Sequence, residues 1–285
     1  MRASSLLDRW PLRRRAAPVE ARACPVCAAA DLRFIGHLDA TAAIAFERNR
    51  YDLVECRACE LIYISPEPSA ADLNALYVGS NQFTDALYTD AKRVEAILEY
   101  MTSCLTRILA RAGIDRREPI ATLEIGAGLA WMARAAKALN PASATTAEDI
   151  SPEAVHQCPW VDAYVQADVA DPRVDGRAPY DLISLTHVIE HLTDPVSVIA
   201  RCKRLLSARG TILVTAPHRP LGWSRGSSDI ALWRSYSYNH VPAHIQYFSQ
   251  KSMGVLARNA GCRLAYWDAR SEGGQAFEAW LSSPR

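Results

Sequence analysis

The 285-residue chain lacks several features that would each have settled its class at once. It has no apolar run long enough to span a bilayer, which excludes a helical membrane protein. It has no excess of either charge: 32 Lys and Arg stand against 31 Asp and Glu, a net charge of +1. No global field therefore draws it to nucleic acid or to a membrane surface. The first stretch, residues 1–23, carries Arg13, Arg14 and Arg15 but no apolar middle segment, which argues against a secretory signal. It is expected to be a basic, mobile tail, the alternatives being a transit peptide or an arm for a polyanion. Internal repeats are absent, and so is low-complexity sequence beyond that tail. What remains is ordinary for a soluble globular protein: 49% hydrophobic and 22% charged residues, enough for one large domain or a domain with a smaller companion.

Cysteine is not scarce, but it is unevenly placed. Four of the eight form two pairs, Cys24-Pro-Val-Cys27 and Cys56-Arg-Ala-Cys59, while Cys104, Cys158, Cys202 and Cys262 stand alone. Two Cys-x-x-Cys turns can bring four thiolates around one tetrahedral Zn²⁺, and four ligands fill its coordination shell, so such a metal is structural. Redox thiols are the alternative. Free or metal-bound thiols, with no sign of secretion, point to a reducing cytoplasm. The glycine usual after each knuckle is missing, its places being taken by Ala28 and Glu60.

The periodicity predicts strands at Leu32–Leu38, Tyr51–Cys56 and Leu61–Ile64, then a short helix at Ala70–Val78. A strongly amphipathic helix follows over Lys92–Ala112, stopped by Gly113. Strands and helices then alternate: strand 121–125, helix 129–139, strand 144–148, helix 152–157, strands 163–167 and 181–186, helix 195–206, strand 211–215. That rhythm predicts an α/β fold, a doubly wound, mostly parallel sheet. The Trp- and Tyr-rich segment 219–241 interrupts it and is a candidate lid or binding loop. A helix at 249–260 and a hairpin over 262–281 close the chain. The expected organisation is a tail (1–23), a zinc-ribbon-like module (24–66), a helical linker or cap (67–117) and a cofactor-binding domain (118–285).

The turn after the first strand of that domain reads Leu123-Glu-Ile-Gly-Ala-Gly-Leu-Ala-Trp131. Gly126 and Gly128 suit a tight strand-turn-helix junction, but a dinucleotide fingerprint needs a third glycine where Trp131 stands. Glu124, two residues before Gly126, would repel a pyrophosphate and attract a cation. S-adenosylmethionine, with an ammonium and a sulfonium and no phosphate, is such a ligand. A turn that merely packs is the alternative.

From about Ile120 to Gly261 the chain resembles the class I S-adenosylmethionine-dependent methyltransferases, whose sheet has seven strands. The resemblance rests on Leu123-Glu-Ile-Gly-Ala-Gly128, Asp149-Ile-Ser-Pro-Glu153, Ala167-Asp168, Tyr180 through His187-Val-Ile-Glu-His191 to Pro195, and Pro242-Ala-His-Ile-Gln-Tyr-Phe-Ser249. It implies that Glu124, Gly126 and Gly128 meet the methionine moiety, Asp149 the ribose, and Asp168 and Val169 the adenine, with Ile150 a further cofactor-binding residue. The family often has its own third glycine at the position of Ala130. The segment around Cys56-Arg-Ala-Cys59-Glu-Leu-Ile-Tyr-Ile-Ser-Pro66 resembles the zinc-ribbon-like segment before the methyltransferase domain in a group of bacterial enzymes, some acting on sugars and natural products. Cys24, Cys27, Cys56 and Cys59 are then the metal ligands.

His187 ends the fourth parallel strand of that domain, where an acceptor should enter, and it either takes a proton from the acceptor or orders the cofactor. Glu190 and His191 either share in the chemistry or brace the turn before Asp194-Pro195; His240 and His244 reach the same region from the next loop, and His191 and His244 join His187 as catalytic candidates. Trp223, Trp233, Tyr236 and Tyr238 either wall a pocket or cover the sheet edge. The sequence thus predicts an S-adenosylmethionine-dependent methyltransferase, with a structural zinc, acting on a hydroxyl, amine or carbon of a small molecule such as a sugar or natural-product intermediate. The rivals are an RNA-modifying enzyme with the ribbon as its nucleic-acid module, which the neutral charge disfavours, and a non-catalytic scaffold. The ribbon either closes over substrate or supports a homodimer.

Overall fold

The computed structural model describes residues 22–41, 44–78, 90–151, 154–169 and 171–284. The tail expected at 1–23 lies outside them as far as residue 21, as do Pro152 and Glu153. Two sheets organise the chain. The larger has seven strands in the order β10-β11-β8-β7-β4-β5-β6. Its members are β4 (Ala121–Ile125), β5 (Ala144–Asp149), β6 (Ala163–Gln166), β7 (Tyr180–Thr186), β8 (Leu206–Pro217), β10 (Arg263–Ser271) and β11 (Ala276–Ser282). The strands from β6 to β8 pair in parallel, and β11 and β10 add an antiparallel edge. This is the expected doubly wound, mostly parallel sheet of seven strands.

Alternation along the central strands decides what covers each face. Leu182 and Leu213 point to the side covered by α2 (Ala91–Ala112) and α3 (Trp131–Leu139), where they meet Met101, Leu105, Ile108, Met132 and Ala136. Their neighbours Ile183, Ile212 and Val214 face α4 (Pro195–Leu205) and α6 (Gln250–Asn259), meeting Ile199, Cys202, Met253 and Leu256. The sequence pattern fits these helices because their caps are local. Asp90 accepts from the Arg93 amide, Asp194 from Ser197, and Ser249 from Ser252 in a reciprocal capping box, while Gly113 turns left-handed at φ 69°. One predicted helix shrinks: 152–157 shows only a 3-10 turn, Ala154–His156, among its described residues.

The smaller sheet is β1 (Leu32–Asp39), β2 (Arg50–Cys56), β3 (Ile62–Ser65) and β9 (Gln246–Tyr247), in that order. β9 comes from far down the chain, pairing Tyr247 with Ile62 and Gln246 with Tyr63. α1 (Ala70–Val78) follows β3, and its Asp72 accepts from the Glu47 amide at 2.8 Å. Segment 219–241, with a short α5 (Ile230–Arg234), packs against it. Trp233 is fully buried there and Tyr236 nearly so, among Ile35, Leu53, Ile62 and Ile64. These two aromatics fill a core and do not wall a pocket. The sequence could not show this because the strands they cover lie nearly two hundred positions upstream.

Candidate active site

The strand order places the carboxyl ends of β7, β4, β5 and β6 side by side, so residues distant in sequence form one row. The glycine turn after β4 is its centre. Gly126 and Gly128 have φ of 58° and 50°, and a β-carbon on Gly126 would fall 2.5 Å from Val188 Cγ2. Ala130, where the family often has glycine, is also left-handed, at φ 51° and ψ 54°. It is fully buried. Trp131 opens α3 and stacks on Trp160, with ring centroids 6.3 Å apart, and the Trp160 indole donates to the Ala130 carbonyl at 3.0 Å. A bulky residue is tolerated at 131 because it stacks on this second indole and packs, partly buried, against the core.

Glu124 sits behind the turn with 3% exposure. Its carboxylate accepts from the Met132 and Ala133 amides at 3.1 Å, buried first-turn donors of α3 that have no acceptor within the helix. Burial pushes its carboxyl up to about 7, opposed by those two amides and reinforced by the charge of Asp149. What it holds directly is the first turn of α3. Asp149 lies across the turn: one oxygen accepts from the Gly128 amide at 2.8 Å and the other from Ser151 at 2.8 Å. Ile150 is one of three exposed large hydrophobics among the described residues, at 45%. Asp168 is exposed just beyond β6, and Val169 is half-buried. The Ala167 amide donates to the Asp149 carbonyl at 2.9 Å, which holds the ends of β5 and β6 together. Tyr164, unremarkable in the sequence, donates to the Gly128 carbonyl at 2.8 Å, and only the pairing of β6 with β5 brings it there.

At the end of β7, His187 adopts φ 54°, rare for a side chain of its size, while its amide donates to Thr215 of β8 at 2.9 Å. Its side chain is 34% exposed, with Nδ1 3.4 Å from Glu190 Oε1, and its ring lies over that of Tyr238, centroids 6.1 Å apart. Val188, touching Gly126, fastens this strand end to the glycine turn. Glu190 is fully buried. Burial pushes its carboxyl up, but His187, His191 and His244 together hold it below the usual range. His244 is pushed down to about 4 by burial and by the charge of His191, and His240 is lowered for the same two reasons. Residues 245–246 are sewn to the turn of Glu190: the Ile245 amide donates to the Glu190 carbonyl at 2.9 Å, and the Gln246 amide group to Ile189 and Leu192 at 2.8 and 2.7 Å. Gln246, completely buried, carried no signal in the sequence that would have assigned it this role.

The four paired cysteines converge. Cys24 and Cys59 sulfurs are 3.5 Å apart, as are those of Cys27 and Cys56, and all four lie within 4.8 Å of one another. A tetrahedral zinc with Zn–S bonds of about 2.3 Å requires edges of about 3.8 Å, which this cluster fits. The knuckle turns close through the Ala28 amide onto Cys24 and the Glu60 amide onto Cys56, both at 2.8 Å. Ala28 and Glu60 have φ of 58° and 68°, the conformation for which glycine is usual.

Residues 97–266 match the Methyltransferase domain family. Methyltransferase str2 of Strobilurus tenacellus is 34% identical over 102 residues, which are 35% of this chain and 37% of that relative's length. The matched segment thus spans little more than a third of that protein. Among solved structures, the plantazolicin methyltransferase BpumL in complex with SAH superposes with a TM-score of 0.52 at 14% identity, covering 75% of this chain and 94% of its own. A chain from the complex of the Haloferax volcanii Trm112 methyltransferase activator with a methyltransferase gives 0.52 at 15% identity, covering 72% and 99%. The chain belongs to the methyltransferase domain family, and its fold is that of the class I S-adenosylmethionine-dependent methyltransferases.

Proposed function

We propose that the protein transfers a methyl group from S-adenosylmethionine to a hydroxyl, amine or carbon of a small-molecule acceptor, of the kind met in sugar or natural-product assembly. One observation carries the reading: the glycine turn is flanked by two carboxylates, Glu124 and Asp149, with Glu124 sealed in the interior. Such a turn favours a cationic ligand and penalises a pyrophosphate. S-adenosylmethionine supplies the electrophilic methyl, and the fold-related BpumL was solved with SAH.

The chain's own residues align and shield. The amides of Gly126 and Gly128 and the charge of Glu124 receive the methionine end, Asp149 the ribose hydroxyls, and exposed Ile150 with Asp168 and Val169 the adenine. Asp149 exchanges its Gly128 partner for the ribose or holds both. His187, at the mouth of the crevice with Glu190 behind it, takes the proton of a hydroxyl or amine acceptor, and His191 and His244 form the wall beside it. The Cys24, Cys27, Cys56 and Cys59 cluster holds a structural Zn²⁺ that fixes the small sheet. The single buried thiols of Cys104, Cys158, Cys202 and Cys262, none in a disulfide, suit a reducing cytoplasm.

Calorimetry tests the cofactor: S-adenosylmethionine binds and NADH does not, and the reverse result ends this reading. A panel of hydroxylated and amino acceptors, screened for a one-methyl gain in mass, identifies the substrate class.

A further inference from the structure

We propose that Glu190, His191 and His244 form a second metal site, separate from the four cysteines and suited to a divalent first-row transition cation such as Zn²⁺ or Mn²⁺. The three residues offer ligand atoms that all lie within 4.8 Å of one another. Three points that close always share a centre within about 2.8 Å of each, so shifts of about 0.7 Å bring them to metal-ligand lengths.

Proximity alone would not make a site; the hydrogen bonding does. His191 Nδ1 meets the Ala243 carbonyl at 2.8 Å, and His244 Nδ1 meets the Tyr238 carbonyl at 2.9 Å. A carbonyl can only accept, so each ring donates from Nδ1, and in the neutral imidazole the lone pair then lies on Nε2. This is the arrangement by which metal-binding histidines are oriented from behind. His191 Nε2 stands 3.9 Å from Glu190 Oε1. Glu190 is completely buried, and neither of its oxygens has a hydrogen bond of normal geometry. His187 Nδ1, 3.4 Å from Oε1, flanks the same carboxylate, and His240 edges onto His244 with centroids 4.9 Å apart. A buried carboxylate beside two imidazoles whose ring centroids are 4.9 Å apart is costly unless a cation sits among them.

The ligand chemistry separates this site from the first. Two nitrogens and an oxygen suit borderline cations, whereas four thiolates retain the softer ones. Three protein ligands leave positions open, which the closed cysteine site does not. On the methyltransferase reading, a cation there lies beside His187 at the end of β7 and would favour acceptors with oxygen lone pairs next to the methylated group. The acceptor preference rests on the proposed function; the metal site does not.

The test uses the full chain, stripped with chelator, reloaded with ZnCl₂ and desalted, with zinc counted per chain by mass spectrometry. The wild-type protein is expected to hold about one equivalent more than Glu190→Gln or His244→Gln. Equal zinc in all three overturns the site, whatever the cysteines hold and whether or not methyl transfer is observed. Should either variant fail to fold, as judged by circular dichroism, CoCl₂ added to stripped wild type reloaded with a single equivalent of zinc, which the four thiolates retain, decides. A visible d–d spectrum without a thiolate charge-transfer band supports the N,N,O site. No d–d signal, or only the thiolate spectrum, overturns it.

Discussion

The Asp149 carboxylate accepts a 2.8 Å hydrogen bond from the Gly128 amide, so the residue assigned to the ribose also holds the glycine turn in shape. Asp149→Ala removes both functions, and S-adenosylmethionine affinity is expected to fall tenfold or more, about 1.4 kcal/mol at least. Asp149→Asn, which keeps one acceptor, should lose less. Titration calorimetry of the two variants checks this ordering; equal affinities for wild type and Asp149→Ala would remove Asp149 from the site.

Gly126 and Val188 are so close that an added methyl has no room. Gly126→Ala combines that collision with a left-handed φ of 58°. It is expected to destabilise the fold by about 1–3 kcal/mol and to displace His187 along with Val188. Urea unfolding and turnover should both suffer, whereas Gly176→Ala, at a position with open space for a methyl, should affect neither.

Ala130 offers the opposite experiment. Its left-handed backbone costs about 1–2 kcal/mol relative to a permissive residue. Ala130→Gly should therefore stabilise the protein, less the extra chain entropy of glycine, by up to about 1 kcal/mol, a rise of about 2–4 °C in Tm. Ala28→Gly should act likewise in the first cysteine knuckle. Differential scanning calorimetry giving a lower Tm for both would show that the surrounding contacts, and not the backbone, set the balance.

Glu124 predicts a pH dependence of stability. Its folded pKa, raised to about 7 from an unfolded value of 4.5, means the folded state keeps a proton that the unfolded chain gives up. Its contribution is full below about 4.5, declines as pH rises, and is gone above about 7, a span on the order of 3 kcal/mol. Glu124→Gln should flatten that slope while keeping one acceptor for the α3 amides. Urea midpoints measured from pH 4.5 to 8 compare the two proteins, and an unchanged slope contradicts the assignment.

The small sheet ties the cysteine cluster to His244, because β9 begins two residues after that histidine and pairs with β3. Chelation, or Cys24→Ser, should therefore lower Tm and bound zinc together, and also weaken methyl transfer. Unchanged zinc content and stability in Cys24→Ser would refute a structural metal there.

Much of this was legible along the chain. The strand-helix alternation and the helix stop at Gly113 rest on local periodicity and local hydrogen bonds, which neighbouring residues dictate. So do the glycine turn and the two Cys-x-x-Cys knuckles, and even the left-handed positions 28, 60 and 130 were marked as places where glycine was missing. What tertiary structure alone decided concerns partners far apart. It set Trp233 and Tyr236 into a core against β1 to β3, turned Glu124 onto the α3 N-terminus, and brought Tyr164 to Gly128. It also sewed Gln246 to the turn of Glu190, and so set His244 beside Glu190 and His191. Periodicity says which face of a strand is buried, but not which strand lies alongside. That choice is made when the whole sheet closes and every buried donor and acceptor must find its match.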